Sequence, residues 1–337
     1  MINPEPKTIC IAGASGLAGA YIVKAALNRG FRVHGTLRDA SHNEKAGVLR
    51  SFASASDRLR LFSADAADSG SFDEPLTGAD AVFITCFPAV NHGIDGTPAA
   101  QLDPDRGWNE IIHPAEQGCL NIMKAALRQN VKTVLLCSST ASAEPAAPSA
   151  IKHELRDISV AEQQIGQKKY SQAQKTVMEA AAEKFASKNG IRLCTLLPSM
   201  MVGEPLLPSH LTGHVLGFLA NLHQGKTGWH KTVPAGSMSL TSPEDLAAMF
   251  LAAWSNQEAS GRYFAVSGSW SWHEIYQEIS EYVPLEALPT PLGREPESPT
   301  QFDFTRRDSL GTTFKDMHEM LAAFYHKYEQ VRLLPQL

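Results

Sequence analysis

The sequence predicts an α/β fold in which a doubly wound parallel sheet is joined to a smaller, interleaved C-terminal substrate lobe. Short apolar runs alternate with helix-length amphipathic segments as far as Pro198. The first run leads directly into a glycine-rich turn, and beyond Pro198 proline and glycine become frequent. Strands that are covered on both faces are apolar throughout, and their alternation with helices is typical of a parallel sheet.

The glycine-rich turn is the segment 13–19, GASGLAG, which lies between a predicted strand over 9–12 and a predicted helix from Leu17 to Asn28. Glycine permits a tight turn and a close approach of the backbone to a phosphate, and a helix N-terminus adds unpaired N–H groups with a partial positive charge. The GxxGxxG spacing is one residue longer at the first gap than GxGxxG. The position between strand and helix favours a dinucleotide-phosphate site over a plain glycine-rich turn.

The later elements follow the same alternation. Further strands are predicted over 31–37, 59–64, 81–86, 131–137 and 191–197, and helices over 114–129 and 167–188. We expect a cofactor-binding domain over 1–198, completed by sheet strands near 231–240 and 263–266. The substrate-binding lobe is expected over 199–230 and 267–337.

The composition excludes several classes of protein. With 43% hydrophobic and 19% charged residues the chain is not disordered, and a net charge of −5 gives no general attraction to nucleic acid or to an anionic membrane. No apolar run approaches the roughly 20 residues that span a bilayer, and the N-terminus lacks the features of a signal peptide. The five cysteines have no CxxC spacing, which is typical of buried thiols in a reducing compartment. We expect a cytoplasmic monomer or homodimer that takes a small-molecule substrate and no metal.

Charged residues at the ends of the second and third strands indicate the adenosine half of a cofactor site. A cation at the position of Arg38 accommodates the 2′-phosphate of NADP, whereas an acidic residue there would select NAD. Lys45 adds a second positive charge; the alternative is a pair of solvated surface cations. Asp65, after the third strand, can accept from the adenine amino group or cap its own loop.

The reacting half of the site is indicated by a polar strand end. The fifth strand ends in the segment 137–140, CSST, at the edge of the sheet where ligands of such folds bind. The Ser139 hydroxyl can bond a substrate carbonyl, or it can make an ordinary turn bond. Lys175, on the long helix, can hold a nicotinamide ribose, or it can be solvated.

Several of these features together carry a resemblance to a known family. The sequence resembles the extended short-chain dehydrogenases/reductases, and within them the dihydroflavonol reductase and cinnamoyl-CoA reductase group. The resemblance covers essentially the whole chain and implies a Rossmann fold, NADP, and carbonyl reduction by hydride transfer through a Ser–Tyr–Lys triad. The matching segments are GxxGxxG at 13–19, Arg38 with Lys45, SFDE at 71–74, GADAVF at 78–83, VKTV at 131–134, Ser138-Ser139, the run 198–203, Leu310-Gly311 and Leu334-Pro335.

The resemblance also implies roles for individual residues. Ser139 is the serine that polarises the substrate, and Lys175 is the family lysine in its Lys-Thr-x-x-Glu setting. The remaining implied residues contact the cofactor. They are Gly13, Ser15, Gly16, Leu17 and Gly19 in the glycine-rich turn, Asp65 and Ala66, Thr85, Cys86 and Phe87, and Pro198, Ser199 and Met201.

The tyrosine of the triad is where the sequence departs from the family pattern. The family spacing is YxxxK, which puts both side chains on one helix face. Ser171 stands four residues before Lys175, whereas Tyr170 stands five before it, about 140° around a regular helix. Three interpretations stay open: a one-residue π-bulge that restores Tyr170, a role for Ser171 or a water that it holds, and loss of the family reaction.

Two classes of function therefore follow from the sequence. The first is an NADP-dependent oxidoreductase acting on a carbonyl or alcohol of a medium-sized, aromatic metabolite, with Trp270, Trp272, His210 and Met200 among the candidates for an apolar pocket. The second is a dinucleotide-binding protein with altered or lost reductase chemistry, such as an isomerase, a lyase or a redox sensor.

Overall fold

The computed structural model describes residues 6–147 and 149–332 and contains twelve strands. Seven of them form a parallel sheet in the order β10-β7-β5-β4-β1-β2-β3. The strands are β1 (Thr8–Ala12), β2 (Arg32–Leu37), β3 (Leu59–Ser63), β4 (Ala81–Ile84), β5 (Thr133–Cys137), β6 (Ile151–Lys152), β7 (Arg192–Pro198), β8 (Met200–Met201), β9 (Ser237–Thr241), β10 (Gly261–Ala265), β11 (Gly268–Ser271) and β12 (Gln301–Phe302). The predicted doubly wound α/β fold is confirmed.

The α-helices lie between and after these strands along the chain. They are α1 (Leu17–Asn28), α2 (Asn43–Arg50), α3 (Ala55–Arg58), α4 (Asp73–Leu76), α5 (Pro104–Gly107), α6 (His113–Arg128), α7 (Ala161–Gly166), α8 (Tyr170–Asn189), α9 (His214–His223), α10 (Pro243–Ser255), α11 (Trp272–Ile279), α12 (Thr305–Asp308) and α13 (Met317–Arg332). A π-helical turn, Trp108–Ile112, leads into α6.

Alternate side chains of β1 enter two separate cores, one on each face of the sheet. Ile9 and Ile11 pack with the helices α1 and α10, whereas Cys10 and Ala12 pack with α6 and α8. All five residues of β1 are buried. This burial on both faces is the physical reason why the strand is apolar without a polar alternation.

A separate apolar core is formed mainly by α9, α11 and α13, and we call this part of the structure the second lobe. Beside it lies a three-stranded sheet in the order β11-β9-β8. The prediction that the segment 231–240 adds a strand to the main sheet was wrong. It contributes to β9, which pairs with β8 and β11, while β10 extends the main sheet beside β7, as predicted near 263–266.

The long helix begins later than predicted, at Tyr170 instead of residue 167. Lys168 has a φ of +57°, and the N–H groups of Lys168 and Lys169 bond back to Ile165 and Gln164. This left-handed residue ends α7 and separates it from α8. The C-terminal end is as predicted, because α8 stops at Asn189 and Gly190 takes a φ of +61°.

The strand order reverses at β1, whose neighbours are β4 on one side and β2 on the other. In open parallel sheets the crevice beyond the carboxyl ends of the strands at this point is the usual ligand site. The turn after β1 opens there. Within the described ranges, no helix combines the length and apolar character needed to cross a bilayer.

Candidate cofactor and active site

The glycine-rich turn is tight because no side chain fits at two of its positions. Gly13 has a φ of +89°, and a Cβ there would lie 2.8 Å from the Cys86 Cα. A Cβ on Gly19 would lie 2.1 Å from the Gly13 carbonyl oxygen. Gly16 precedes α1, whose first-turn N–H groups have no intrahelical acceptor. The turn therefore leaves a bare backbone and a helix N-terminus at the crevice, which fits a pyrophosphate.

The cations predicted at the adenosine end lie at the edge of the same crevice. Arg38 directly follows β2 and is exposed, and Lys45, in α2, is half-buried. Across the two described ranges neither forms an ion pair with an acidic side chain. The Asp39 carboxylate instead accepts from the Ser41 N–H at 2.8 Å and from its hydroxyl at 2.6 Å, and these bonds lower its pKa. Within the described residues both cations are thus left available to an anionic ligand.

Asp65 takes part in a local turn. Its Oδ1 accepts from the Ala67 N–H at 2.9 Å, and its own N–H donates to the Ser71 hydroxyl. The neighbouring Ala66 packs against the core, and its carbonyl accepts from Asn121 at 3.0 Å. The capping alternative for Asp65 is therefore realised in the structure, and Oδ2 is the oxygen left for an adenine amino group.

The segment after β4 connects the glycine-rich turn to α8. The Thr85 hydroxyl donates to the Ala12 carbonyl at 2.8 Å, and burial raises the pKa of the Cys86 thiol to about 12. The Phe87 ring packs against Gly118 of α6, and its carbonyl accepts a hydrogen bond from Lys175 Nζ. The segment thus lies between the predicted phosphate site and the predicted catalytic lysine.

Lys175 is a buried ammonium at the edge of the sheet. Its side chain is 7% exposed, and burial lowers its pKa below the usual range for lysine. A helical lysine that was merely solvated would have neither property. The alternative of a solvated lysine is therefore not realised in the structure.

Ser139 lies at the end of β5 and is partly exposed, in contrast to the buried Ser138. Its Oγ accepts from the Ala141 N–H at 3.2 Å, which leaves its own hydroxyl hydrogen available. The Ser138 hydroxyl donates instead to Glu179 at 2.7 Å. Lys175 and Glu179 are one turn apart on α8, so this helix contacts the ends of both β4 and β5.

The structure does not bring Tyr170 to this edge. Helix α8 is α-helical from Tyr170 onward, so the proposed π-bulge between Tyr170 and Lys175 is not formed. The Tyr170 side chain is fully buried, and its hydroxyl donates to the Leu102 carbonyl at 3.3 Å. Its ring fills the space beside Gly107, where a Cβ would lie 2.4 Å from the ring.

Ser171 occupies the position that the family pattern gives to tyrosine. It is partly exposed and stands one turn before Lys175 on the same side of a regular helix. The π-helical geometry predicted for this region occurs elsewhere, in the turn Trp108–Ile112 directly after Gly107. The structure thus puts Ser171 one turn before Lys175 and leaves the Tyr170 phenol in a buried cluster.

The loop after β7 contains residues that are predicted to contact the cofactor. Pro198 is the last residue of β7, and the Ser199 N–H donates to the Thr241 hydroxyl at 2.9 Å. Met201 packs against the core of the first lobe, and Met200 against the core of the second. This loop therefore lies at the junction of the two lobes. Leu334 and Pro335 lie outside the described residues.

Comparison with known proteins agrees with this geometry. The sequence matches the model of the NAD dependent epimerase/dehydratase family over residues 9–266. The chain belongs to that family. As a member of its extended short-chain group it is a nicotinamide-dependent oxidoreductase, and its Rossmann fold is shared with reductases of known structure.

Among relatives of this extended short-chain reductase are plant enzymes. Tetraketide alpha-pyrone reductase 1 of Arabidopsis thaliana is 33% identical over 319 residues, covering 93% of this chain and 92% of the relative. Anthocyanidin reductase ((2S)-flavan-3-ol-forming) of Vitis vinifera is 31% identical over 302 residues, covering 86% and 85%. Two solved structures share the fold. Vestitone reductase from alfalfa has a TM-score of 0.75 at 21% identity, covering 96% and 98%, and Gre2 from Candida albicans with NADPH has 0.77 at 20%, covering 97% and 99%.

Sequence analysis missed a buried charge network behind the serine loop of this reductase. Arg262 Nε lies 2.5 Å from Glu179 Oε1, and both side chains are largely buried. Glu179 also accepts from the Ser138 and Ser142 hydroxyls at 2.7 Å each, and Arg262 donates to the Ser142 carbonyl at 2.8 Å. The signal was present in the sequence, because Arg262 is the only charged residue in the strand GRYFA.

Proposed function

We propose that this protein transfers a hydride between NADPH and the carbonyl of a medium-sized aromatic metabolite, in the cytoplasm, as a monomer or homodimer. The names of its relatives support the substrate class, since they specify pyrone, anthocyanidin, flavanone and cinnamoyl compounds. The preference for NADP over NAD is supported by Arg38 and Lys45. The five free cysteines fit a reducing compartment.

The main support for the chemistry is the buried ammonium of Lys175, hydrogen-bonded to the Phe87 carbonyl. Within the described residues this buried ammonium forms no ion pair, and burying it costs free energy that a structural role in an apolar core would not repay. Its place between the cofactor segment after β4 and the serine loop after β5 is the place where a nicotinamide ribose would lie. We therefore assign Lys175 to orienting the ribose and supplying positive charge.

The bound NADPH supplies the hydride, and the chain has to bind the carbonyl oxygen and deliver one proton to it. Ser139 donates a hydrogen bond to the carbonyl oxygen, for which its free hydroxyl hydrogen suffices. Addition of the hydride to carbon and of a proton to oxygen gives the alcohol. The interpretation in which Tyr170 donates this proton has no support, because its hydroxyl donates to the Leu102 carbonyl.

For the proton we propose a water held between Ser171 and Lys175. A serine hydroxyl is far less acidic than a phenol, so Ser171 serves as a hydrogen-bond partner for that water and not as the acid itself. The pKa of Lys175 is lowered by burial, which makes its ammonium a stronger acid than a solvated lysine. The proton therefore passes from Lys175 through water to the oxygen.

The decisive experiment compares two lysine variants of one helix. Lys175→Met should lower kcat for NADPH-dependent reduction of aromatic ketones and aldehydes by about 10²-fold or more, the span typical of losing an acid–base group. Lys184→Met, at an exposed position of α8, is the control and should retain wild-type turnover. Wild-type rates in folded Lys175→Met would overturn the assignment.

The displaced tyrosine favours a second candidate function, a cofactor-binding protein whose reductase chemistry is altered or absent. This protein would bind NADPH yet reduce none of the carbonyl compounds. The variant Ser171→Tyr separates the two candidates, because it restores the YxxxK spacing on a regular helix. Carbonyl reduction that is absent in the wild type and present in this variant would favour the second function.

A further inference from the structure

The segment 203–212, which leads into α9 of the second lobe, lies against the glycine-rich turn and the helix α1 that follows it, and two hydrogen bonds join them. The Tyr21 hydroxyl of α1 donates to the Glu204 carbonyl at 2.8 Å. In the opposite direction, His210 Nε2 lies 3.1 Å from the Ser15 carbonyl oxygen. His210 is 6% exposed, so its hydrogen bonds are shielded from water. The segment that leads into the second lobe is thus bonded to α1 and, through His210, to the turn that follows β1.

The tautomer of His210 is determined by its two bonds. The Leu206 N–H donates to His210 Nδ1 at 3.3 Å, so Nδ1 is the unprotonated ring nitrogen. The ring proton is therefore on Nε2, from which it is donated to the Ser15 carbonyl. Burial, together with the nearby charge of Lys45, lowers the pKa of His210 to about 4, so the ring is neutral at physiological pH.

The bond from His210 completes the restraint of one peptide group. The Gly16 N–H donates to the Gly13 carbonyl at 3.1 Å, and the Ser15 carbonyl of the same peptide accepts from His210. Hydrogen bonds at both ends of a planar peptide group restrain its rotation. Because α1 begins at Leu17, this plane sets the direction of the first unpaired N–H groups of the helix.

We propose that His210 is a positioning residue for the dinucleotide cofactor, holding the Ser15–Gly16 peptide so that the N-terminus of α1 is ready for the pyrophosphate. The inference rests on the proposed cofactor binding. His210 directly precedes Leu211, which packs against the core of the second lobe, so it also links the docking of that lobe to the cofactor. Docking of the second lobe and binding of the cofactor then stabilise each other, because a coupling free energy between two sites is reciprocal.

The test replaces the ring by one of similar size that cannot donate. In His210→Phe the Ser15 carbonyl loses its donor, and the Kd for NADPH should rise about 3- to 10-fold, the net worth of one neutral hydrogen bond. The KM for NADPH should rise with it, while kcat changes less. His210→Gln, whose amide can donate in place of Nε2, should recover most of the affinity.

The matched control is His223→Phe. His223 Nδ1 also bonds a carbonyl, that of Tyr282 at 2.9 Å, but within the second lobe. Hydrogen–deuterium exchange of the peptide 13–20, measured without cofactor, gives a second readout. Exchange should speed up in His210→Phe and stay unchanged in His223→Phe, because only the former removes a bond to the turn.

Three results separate the hypotheses. A wild-type protein that binds neither NADPH nor NADH would overturn the proposed function itself. If the wild type binds and folded His210→Phe has unchanged affinity and exchange, only the role of His210 is overturned. An equal loss of affinity in His223→Phe would show a general loosening of the second lobe, which also overturns it.

Discussion

Tyr170 stands five residues before Lys175 instead of four, so its side chain leaves α8 on a different side. The phenol points instead into an apolar cluster with Leu102 and Ile111, and its ring is accommodated because residue 107 is glycine. Burial raises the pKa of Tyr170, so it stays protonated. At the scale of the residue, the structure gives this tyrosine a packing role.

We therefore expect Tyr170→Phe to keep the turnover of the wild type. The change removes only the 3.3 Å bond to Leu102, and it should lower the free energy of unfolding by about 0.5–1.5 kcal/mol. Chemical denaturation and steady-state kinetics measure the two effects. A loss of turnover by two orders of magnitude in a folded variant would return the phenol to the active site.

Cofactor preference is also decided by single residues. Arg38→Ala should weaken NADPH binding by about 1.5–3 kcal/mol and leave NADH almost unaffected, because only NADPH has the 2′-phosphate. Arg29→Ala is the control, since Arg29 lies at the C-terminal end of α1. Isothermal titration with both cofactors checks this, and equal affinity of the wild type for the two would contradict the NADP assignment.

At the scale of elements, α8 is fixed to two neighbouring strand ends. Lys175 bonds the segment after β4, and Glu179, one turn later, bonds the serine loop after β5 and pairs with Arg262 of β10. An ion pair with both partners buried is costly to break on one side only, because the remaining charge is left without compensation. This network keeps Ser139 in a fixed place relative to α8.

Glu179→Gln should lower the free energy of unfolding by about 3–5 kcal/mol, the usual cost of removing one partner of a buried pair. Glu183→Gln, the same change at an exposed position of the same helix, should cost less than about 0.5 kcal/mol. Urea denaturation of both variants provides the comparison. If the two substitutions cost the same, the Arg262 pair contributes nothing to stability.

At the scale of the whole molecule, the two lobes meet over the turn that follows β1. His210 joins the segment 203–212 to this turn, and Tyr21 joins it to α1. Met200 and Met201 pack into the cores of different lobes. A buried neutral histidine at such a junction makes the free energy of unfolding of the protein sensitive to acid. The folded protein resists protonation there, whereas the unfolded chain does not.

The sign follows from the pKa of His210, which falls from its ordinary value of 6.5 to about 4 in the folded protein. Above pH 6.5 the ring is neutral in the folded and in the unfolded state, so it makes no pH-dependent contribution to the free energy of unfolding. Between pH 6.5 and 4 only the unfolded state binds the proton, so stability should fall with pH by about 3 kcal/mol in total from this group.

His210→Phe should lack this contribution, so its free energy of unfolding should decrease less than that of the wild type between pH 7 and 4. Urea denaturation at half-unit pH intervals measures the difference. Parallel curves for the two proteins would show that the histidine is not neutral and buried in solution.

The sequence by itself determined the fold class, the glycine-rich turn, the bounds of α1 and the cations at the end of β2. These features depend on local chemistry: apolar strands, a glycine where φ is positive, and charge at a strand end. The placement of Ser139 after β5 also followed, because the carboxyl ends of parallel strands share one edge of the sheet.

The tertiary structure decided what the one-residue shift of Tyr170 means. The local sequence allowed a π-bulge that restores Tyr170, a role for Ser171, or loss of the family reaction. The tertiary structure excludes the first, because α8 is regular from Tyr170 onward and the tyrosine ring packs against Gly107, outside the crevice. The Arg262–Glu179 pair and the bond from His210 to Ser15 join residues 83 and 195 positions apart in the chain. Contacts over such separations depend on how elements pack, which periodicity and propensity do not encode.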